Sequence, residues 1–308
     1  MISTQAIQSS ALGDDLSISH TNKLNLETQE QLDIDKTLSS GQSFRWTKNE
    51  DGSWLGSIEG NRYKLNQLSK DGNGSVIEYD TSSVDNNESK IKKFFDLDRR
   101  YSDIFDSFRD DPFLSQAMKA HAGLRVLTQN PWETIISFIL STASNIPRIK
   151  GNIERLCASY GTKRIDMFGE YNDFPTAKKL AAASEDEFKK LGFGYRAPYV
   201  LNSSIIIAED NEFISSIRLM SYEDGKKKLC ELPGVGEKVA DCVLLFSFGF
   251  GESFPVDTWI LKVLKKYYRA DESISAKKAS EFGRQRFGKY AGVVQQFMFE
   301  YGRELNLK

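Results

Sequence analysis

The sequence predicts an α+β fold, with a small N-terminal antiparallel β-sheet packed on an all-helical body that contains a helix-hairpin-helix motif. Three observations carry this. Between Leu32 and Tyr79, short apolar stretches alternate with turn signals, as in an antiparallel sheet. After residue 90 the apolar positions recur three and four apart, the period of a helix. Near the C-terminal third, Leu-Pro-Gly-Val-Gly joins two helical stretches. The 308 residues amount to about two ordinary domains. A half-apolar sheet needs a helical face to cover it, so the two parts should pack together.

Taken in order, residues 1–30 are polar and weakly periodic, and 1–20 form a lead-in. The sheet domain with its flanking helices is expected over 21–118. Its strands are FRW, SWLGSI, RYKLNQL and SVIEY, separated by turns at Asn49–Gly52, Gly60–Asn61 and Asp71–Gly74. The Ser- and Asn-rich stretch DTSSVDNNESK follows as a loop. The helical body is expected over 119–308. IKKFFDL, FLSQAMKAH, WETIISFILSTA, IPRIKGNIERLCASY, AKKLAAASEDEFKKL and APYVLNSSIIIAED read as helices, as do KVADCVLLFSF, DTWILKVLKKYY and VVQQFMFEYGRE.

Composition narrows the function. There are 41 Lys and Arg against 43 Asp and Glu, a net charge of −2, so the average alone argues against nucleic acid as a partner. The last quarter differs, because residues 226–308 hold 15 basic and 10 acidic side chains and allow a surface for a phosphate backbone. Cys157, Cys230 and Cys242 are too few and too badly spaced for a disulfide framework or an iron–sulfur cluster. Only His20 and His121 are present, which argues against a His-based zinc centre or a His general base. No apolar run reaches a membrane span, and the first residues lack a secretory signal. The expected location is intracellular, nuclear in a eukaryote and cytoplasm or nucleoid in a prokaryote.

The hairpin, expected over 226–249, is the most informative stretch. Pro233 interrupts the ladder, Gly234 and Gly236 allow backbone angles that other residues resist, and Val235 can plug the space between the helices. Such a turn presents backbone N–H groups at a helix N-terminus, an anion site that holds a nucleic-acid phosphate without reading sequence. The plain alternative is an ordinary helix–helix connection. Carbonyls of the turn, at Cys230, Leu232 and Val235, could also hold a structural monovalent cation.

Lys238 sits in the first turn of the second helix, where the helix dipole disfavours it. A surface lysine, a phosphate clamp and a nucleophilic amine all fit that position. Asp257, in FPVDTW, is placed to cap the next helix. Near a reacting sugar the same carboxylate would stabilise positive charge at C1′.

Several separated motifs then share one resemblance. SGQSFRW at 40–46, NIPRIKGNIERLC at 145–157, LGFGYRAPYV at 191–200, LCELPGVGEKVADC at 229–242, FPVDTW at 254–259 and KYAGVVQQFMF at 289–299 stand in order along the chain. From about residue 22 onward the sequence resembles the 8-oxoguanine DNA glycosylase/AP lyase family of the helix-hairpin-helix superfamily. The resemblance implies a monomer that flips 8-oxoguanine from double-stranded DNA, removes the base and nicks the strand by β-elimination. It makes Lys238 the nucleophile and Asp257 the assisting carboxylate. Gly41 matches the glycine whose carbonyl accepts from N7–H, a proton that guanine lacks. Gln295 matches the reader of the base edge, with Cys242 and Phe299 on the two faces of the base. Tyr195 matches the wedge, and Arg148 and Arg196 match readers of the orphaned cytosine. Gly234, Val235, Gly236 and the position of Trp259 match contacts to the DNA backbone.

Two departures follow from the same resemblance. Eukaryotic members carry three asparagines where this chain has Ala143-Ser144-Asn145. Ala143 has no polar group for the opposite cytosine, so a relaxed opposite-base preference is expected. A histidine often found two residues after the aspartate is Trp259 here. The alternatives are an alkylpurine DNA glycosylase, in which an aspartate alone activates water, and a non-enzymatic binder of distorted DNA. The first leaves Lys238 unexplained, and the second makes both Lys238 and Asp257 dispensable.

Overall fold

The computed structural model describes residues 24–69, 74–83 and 86–307; the lead-in at 1–20, with His20, lies outside the described residues, as does most of the Asp71–Gly74 turn. The chain begins with β1 (Leu24–Thr28), α1 (Ile34–Ser39), β2 (Thr47–Lys48), β3 (Trp54–Ile58), β4 (Asn61–Ser69) and β5 (Ser75–Thr81). Helices α2 (Asn87–Phe94), α3 (Tyr101–Ser107), α4 (Pro112–Ala120), α5 (Pro131–Ser141) and α6 (Ile146–Tyr160) come next. A hairpin of β6 (Lys163–Asp166) and β7 (Gly169–Asn172) precedes α7 (Ala177–Ala181), α8 (Glu185–Lys190), α9 (Ala197–Glu209) and α10 (Phe213–Ile217). The body closes with α11 (Tyr222–Leu229), α12 (Glu237–Val243), α13 (Thr258–Tyr268), α14 (Ala276–Phe287) and α15 (Ala291–Glu304). No helix among the described residues is long and apolar enough to cross a membrane.

The sheet is antiparallel with strand order β1-β5-β4-β3-β2. Its alternating residues bury one face: Trp54 and Ile58 from β3, Tyr63 and Leu65 from β4, and Ile77 and Tyr79 from β5. FRW is not the strand expected of it, because Trp46 turns inward and the two-residue β2 follows. A Cβ at Gly56 would lie 2.2 Å from Cδ2 of the Trp46 ring. Gly56→Ala should therefore destabilise the fold by roughly 1–3 kcal/mol through overpacking, read as a lower urea midpoint at unchanged slope. An unchanged midpoint would mean that Trp46 can move freely.

The helices start where local chemistry sets them. Asn130 and Asn145 each accept a hydrogen bond from the third N–H of the following helix, and Pro131 and Pro147 stand in the first turns. Helix α5 buries Thr134 through Leu140 around its whole circumference, so it forms the centre of the body. The two cores interlock: Leu127 of the body packs into the sheet's cluster, and Phe44 of the sheet domain packs into the body's.

Three elements depart from expectation. LNLET, within the polar, weakly periodic residues 1–30 where no strand was expected, is the edge strand β1, paired Leu24 to Tyr79 through Thr28 to Ser75. IDKTLS is a helix within the stretch read as strands. The β6–β7 hairpin interrupts the helical body; its residues are mostly exposed, so no apolar alternation marks it.

Candidate active site

The hairpin brings α11 and α12 together as the sequence implies. Gly234 has φ +81°, and a Cβ there would meet the Tyr199 side chain at 2.7 Å. The position therefore requires glycine for both its angle and its space. Val235 is buried and donates its N–H to the Leu232 carbonyl at 3.0 Å. The Ser203 hydroxyl donates to the Pro233 carbonyl at 2.8 Å, which ties the turn to α9. Helix α12 opens at Gly236 without a side-chain cap, leaving its first N–H groups to an incoming anion, and continues as a wider turn over Leu244–Phe248.

Lys238 is the second residue of α12 and is partly buried. Its ammonium lies 5.1 Å from the centre of the Phe138 ring, one helical turn before Cys242. Burial pushes that thiol up to about 11, against the pull of Lys238. Cys242 is therefore a neutral thiol near pH 7. Asp257 caps α13, its Oδ1 accepting from the Ile260 N–H at 2.9 Å. Burial raises its pKa, opposed by the capping N–H groups and by the charge of Lys238.

These side chains converge. Lys238, Cys242, Asp257, Gln295, Phe299 and Gly41 line one pocket of about 80 Å³, together with Phe138 and Gln296. Gly41 reaches it in a left-handed turn, φ +77°. Gln42 anchors that turn: its Nε2 donates to the Ser40 hydroxyl at 2.9 Å and the Arg125 carbonyl at 2.8 Å, and its Oε1 accepts from the Leu127 N–H at 2.8 Å. The sequence reading missed Gln42, Phe138 and Gln296. Phe138 looked like one more apolar residue of a core helix.

The expected DNA-distorting residues divide. Tyr195 stands 54% exposed at the edge of a shallow depression shared with Thr142, Tyr199 and the hairpin residues Leu232–Gly236. Tyr199, also missed, meets Tyr195 edge to face at 6.3 Å. Arg148 is exposed at the start of α6. Trp259 is half-buried, with the Lys262 ammonium 4.7 Å from its ring.

Arg196 and Asn145 spend their polar groups within the chain. Arg196 is 2% exposed, and its guanidinium donates to the carbonyls of Thr142 and Ala143 under the Tyr195 ring. A guanidinium withdrawn from water needs such acceptors, and here it braces the 142–143 corner. Asn145 spends its side-chain oxygen on the Arg148 N–H at 3.0 Å, as the cap of α6. Ala143 holds φ +47°, a left-handed angle that asparagine tolerates better than alanine.

Among the described residues no cluster of three or more His, Cys, Asp or Glu side chains is placed to hold a metal ion. Cys157, Cys230 and Cys242 are free thiols.

Comparison with known proteins agrees with this fold. Residues 23–135 match the family described as 8-oxoguanine DNA glycosylase, N-terminal domain, and residues 136–289 match the HhH-GPD superfamily of base excision DNA repair proteins. An N-glycosylase/DNA lyase of Arabidopsis thaliana is 31% identical over 284 residues, covering 88% of this chain and 78% of the relative. That of Saccharomyces cerevisiae is 32% identical over 259 residues, covering 78% and 69%. The Clostridium acetobutylicum 8-oxoguanine glycosylase/lyase, solved with double-stranded DNA containing cytosine opposite 8-oxoguanine, superposes with a TM-score of 0.81. It is 31% identical, over 92% of this chain and 98% of that one.

Proposed function

The chain belongs to the 8-oxoguanine DNA glycosylase family of helix-hairpin-helix repair proteins, and from that premise we propose that it removes 8-oxoguanine from duplex DNA and then cleaves the strand as a β-lyase. The observation that carries this reading is the convergence of Lys238, Asp257, Gly41, Cys242, Gln295 and Phe299 on one pocket from four separated parts of the chain.

The chemistry follows from the placement. The flipped nucleotide enters between Cys242 and Phe299, with Tyr195 filling the vacated stack. The Gly41 carbonyl accepts from N7–H of the oxidised base, and with guanine it would face the N7 lone pair and repel it. The Lys238 Nζ forms a bond to C1′ as the pair in the C1′–N9 bond leaves with the base, which takes up the proton that Nζ gives up. Asp257 stabilises the positive charge that spreads over C1′ and the ring oxygen. Opening of the sugar ring gives the imine; loss of a C2′ proton then expels the 3′ phosphate, and water releases Lys238.

The hairpin N–H groups of Gly234, Val235 and Gly236 grip a phosphate without reading sequence. Neutral carbonyls at Cys230, Leu232 and Val235 suit a hard monovalent cation that would brace the turn; the Leu232 carbonyl accepts one N–H, from Val235, and keeps a second lone pair. All groups of the pocket come from one chain, so the enzyme needs no second copy. The alkylpurine alternative leaves Lys238 without a task.

Defined duplexes with 8-oxoguanine opposite each base, incubated with borohydride, test the proposal. A trapped adduct and strand cleavage are expected opposite cytosine and opposite other bases. Folded protein that binds DNA but gives neither product nor adduct would refute it. Ala143 supplies a companion test: Ala143→Asn should relieve the left-handed strain, raising stability by up to about 1 kcal/mol. It should also sharpen preference for cytosine by adding a polar group at the corner. Equal rates opposite all four bases in the variant would remove position 143 from opposite-base reading.

A further inference from the structure

Gln296 follows Gln295 on α15, lines the same pocket and is 4% exposed. Its Nε2 donates to the Gln295 Oε1 at 2.7 Å, so the two amides turn as a pair. Its own Oε1 is buried without a hydrogen-bond partner. A buried carbonyl with no donor is costly, and a folded protein tolerates one where a ligand brings the donor.

On the reading that this pocket receives 8-oxoguanine, we infer that Gln296 is a specificity-determining residue whose Oε1 accepts a hydrogen bond from the 2-amino group of the flipped base. The bond from Gln296 engages the Gln295 oxygen and leaves the Gln295 Nε2 for the base. The two side chains together then offer an amide N–H and a carbonyl. That is the complement of a guanine edge, which carries an acceptor at O6 and donors at N1 and the 2-amino group. An adenine edge carries a 6-amino donor and an acceptor at N1, the reverse order, and has no 2-amino group. Gly41 thus reports oxidation at the five-membered ring, and Gln296 reports that the six-membered ring is a guanine.

8-Oxohypoxanthine isolates the inference, because it lacks only the 2-amino group. Single-turnover excision of 8-oxoguanine and of 8-oxohypoxanthine, each opposite cytosine, is compared in wild type, Gln296→Met and Gln296→Leu. Cleavage of a preformed abasic site by each variant shows that the protein is folded and Lys238 competent. Wild type should prefer 8-oxoguanine by roughly tenfold or more, as expected when a buried acceptor loses its partner. In the variants that preference should fall to within about threefold, chiefly through slower release of 8-oxoguanine. Equal slowing of both bases in the variants would mean that Gln296 only steadies Gln295, and would overturn the inference. So would a wild type that excises the two bases equally. A wild type that excises neither base yet binds DNA would instead refute the 8-oxoguanine reading on which this rests.

Discussion

Lys238→Gln should give no borohydride-trapped adduct on 8-oxoguanine DNA and should slow base release by at least roughly 10³-fold, the scale on which loss of a nucleophile is felt. Binding to the same duplex should survive within about tenfold, a change of about 1.4 kcal/mol. The asymmetry follows from position. The phosphate grip is assigned to backbone N–H groups of the hairpin, which the substitution leaves in place, whereas the Lys238 ammonium lies over the Phe138 ring at 5.1 Å, in the pocket with Asp257. Glutamine is nearly as long, polar and a good helix former, so α12 should hold its place. Single-turnover kinetics, adduct trapping and a binding titration on one preparation separate the outcomes. A persistent adduct in the variant would assign the nucleophile elsewhere. A parallel collapse of binding and excision would make Lys238 a phosphate clamp, the reading its place in a first helical turn also allowed.

What could be read in the sequence, and what could not, has a physical pattern. Gly41, Cys242, Gln295 and Phe299 were picked out by the family resemblance; backbone chemistry alone marked the hairpin at Gly234, with its positive φ, and the helix cap Asp257. The helical body was legible because helices such as α6 bury residues three and four apart. Strand β1 was lost because LNLET pairs along a sheet edge, where hydrogen bonds outweigh composition. The β6–β7 hairpin is held by backbone pairing and by ion pairs such as Arg62 with Asp166 at 2.9 Å, and neither leaves an apolar period. Phe138, Gln42 and Gln296 stayed hidden because each matters through a contact with a residue brought near by folding or through an unfilled valence. The burial of Arg196 was equally unreadable, since an arginine beside an exposed tyrosine gives no sign that carbonyls 53 and 54 positions earlier will claim it.

Asp257→Asn should separate stability from catalysis at one position. Asparagine caps helices about as well as aspartate, so the hydrogen bond from the Ile260 N–H survives. Burial raises the Asp257 pKa above the ordinary carboxylate value, so the folded state disfavours the ionised form. The sign for stability follows: the protonated group is tolerated below the unfolded-state value, and the wild type loses that advantage as pH rises through the raised folded-state value. At pH 7 the variant escapes this penalty, and its thermal midpoint should equal or exceed that of wild type. Relative to the variant, the wild type should fare better as pH falls. Excision should move the other way. Loss of the negative charge beside C1′ should slow base release by roughly 10²- to 10³-fold, the range for removing one preorganised electrostatic partner of a transition state. The wild-type rate should fall off in acid at a pH above the ordinary aspartate range, as Asp257 takes up its proton, and the variant should lack that limb. Melting curves and single-turnover rates between pH 4 and 8 would show both trends together. A variant that melts well below wild type at pH 7 would make Asp257 a structural cap first, and one that excises at the wild-type rate would remove its charge from the chemistry.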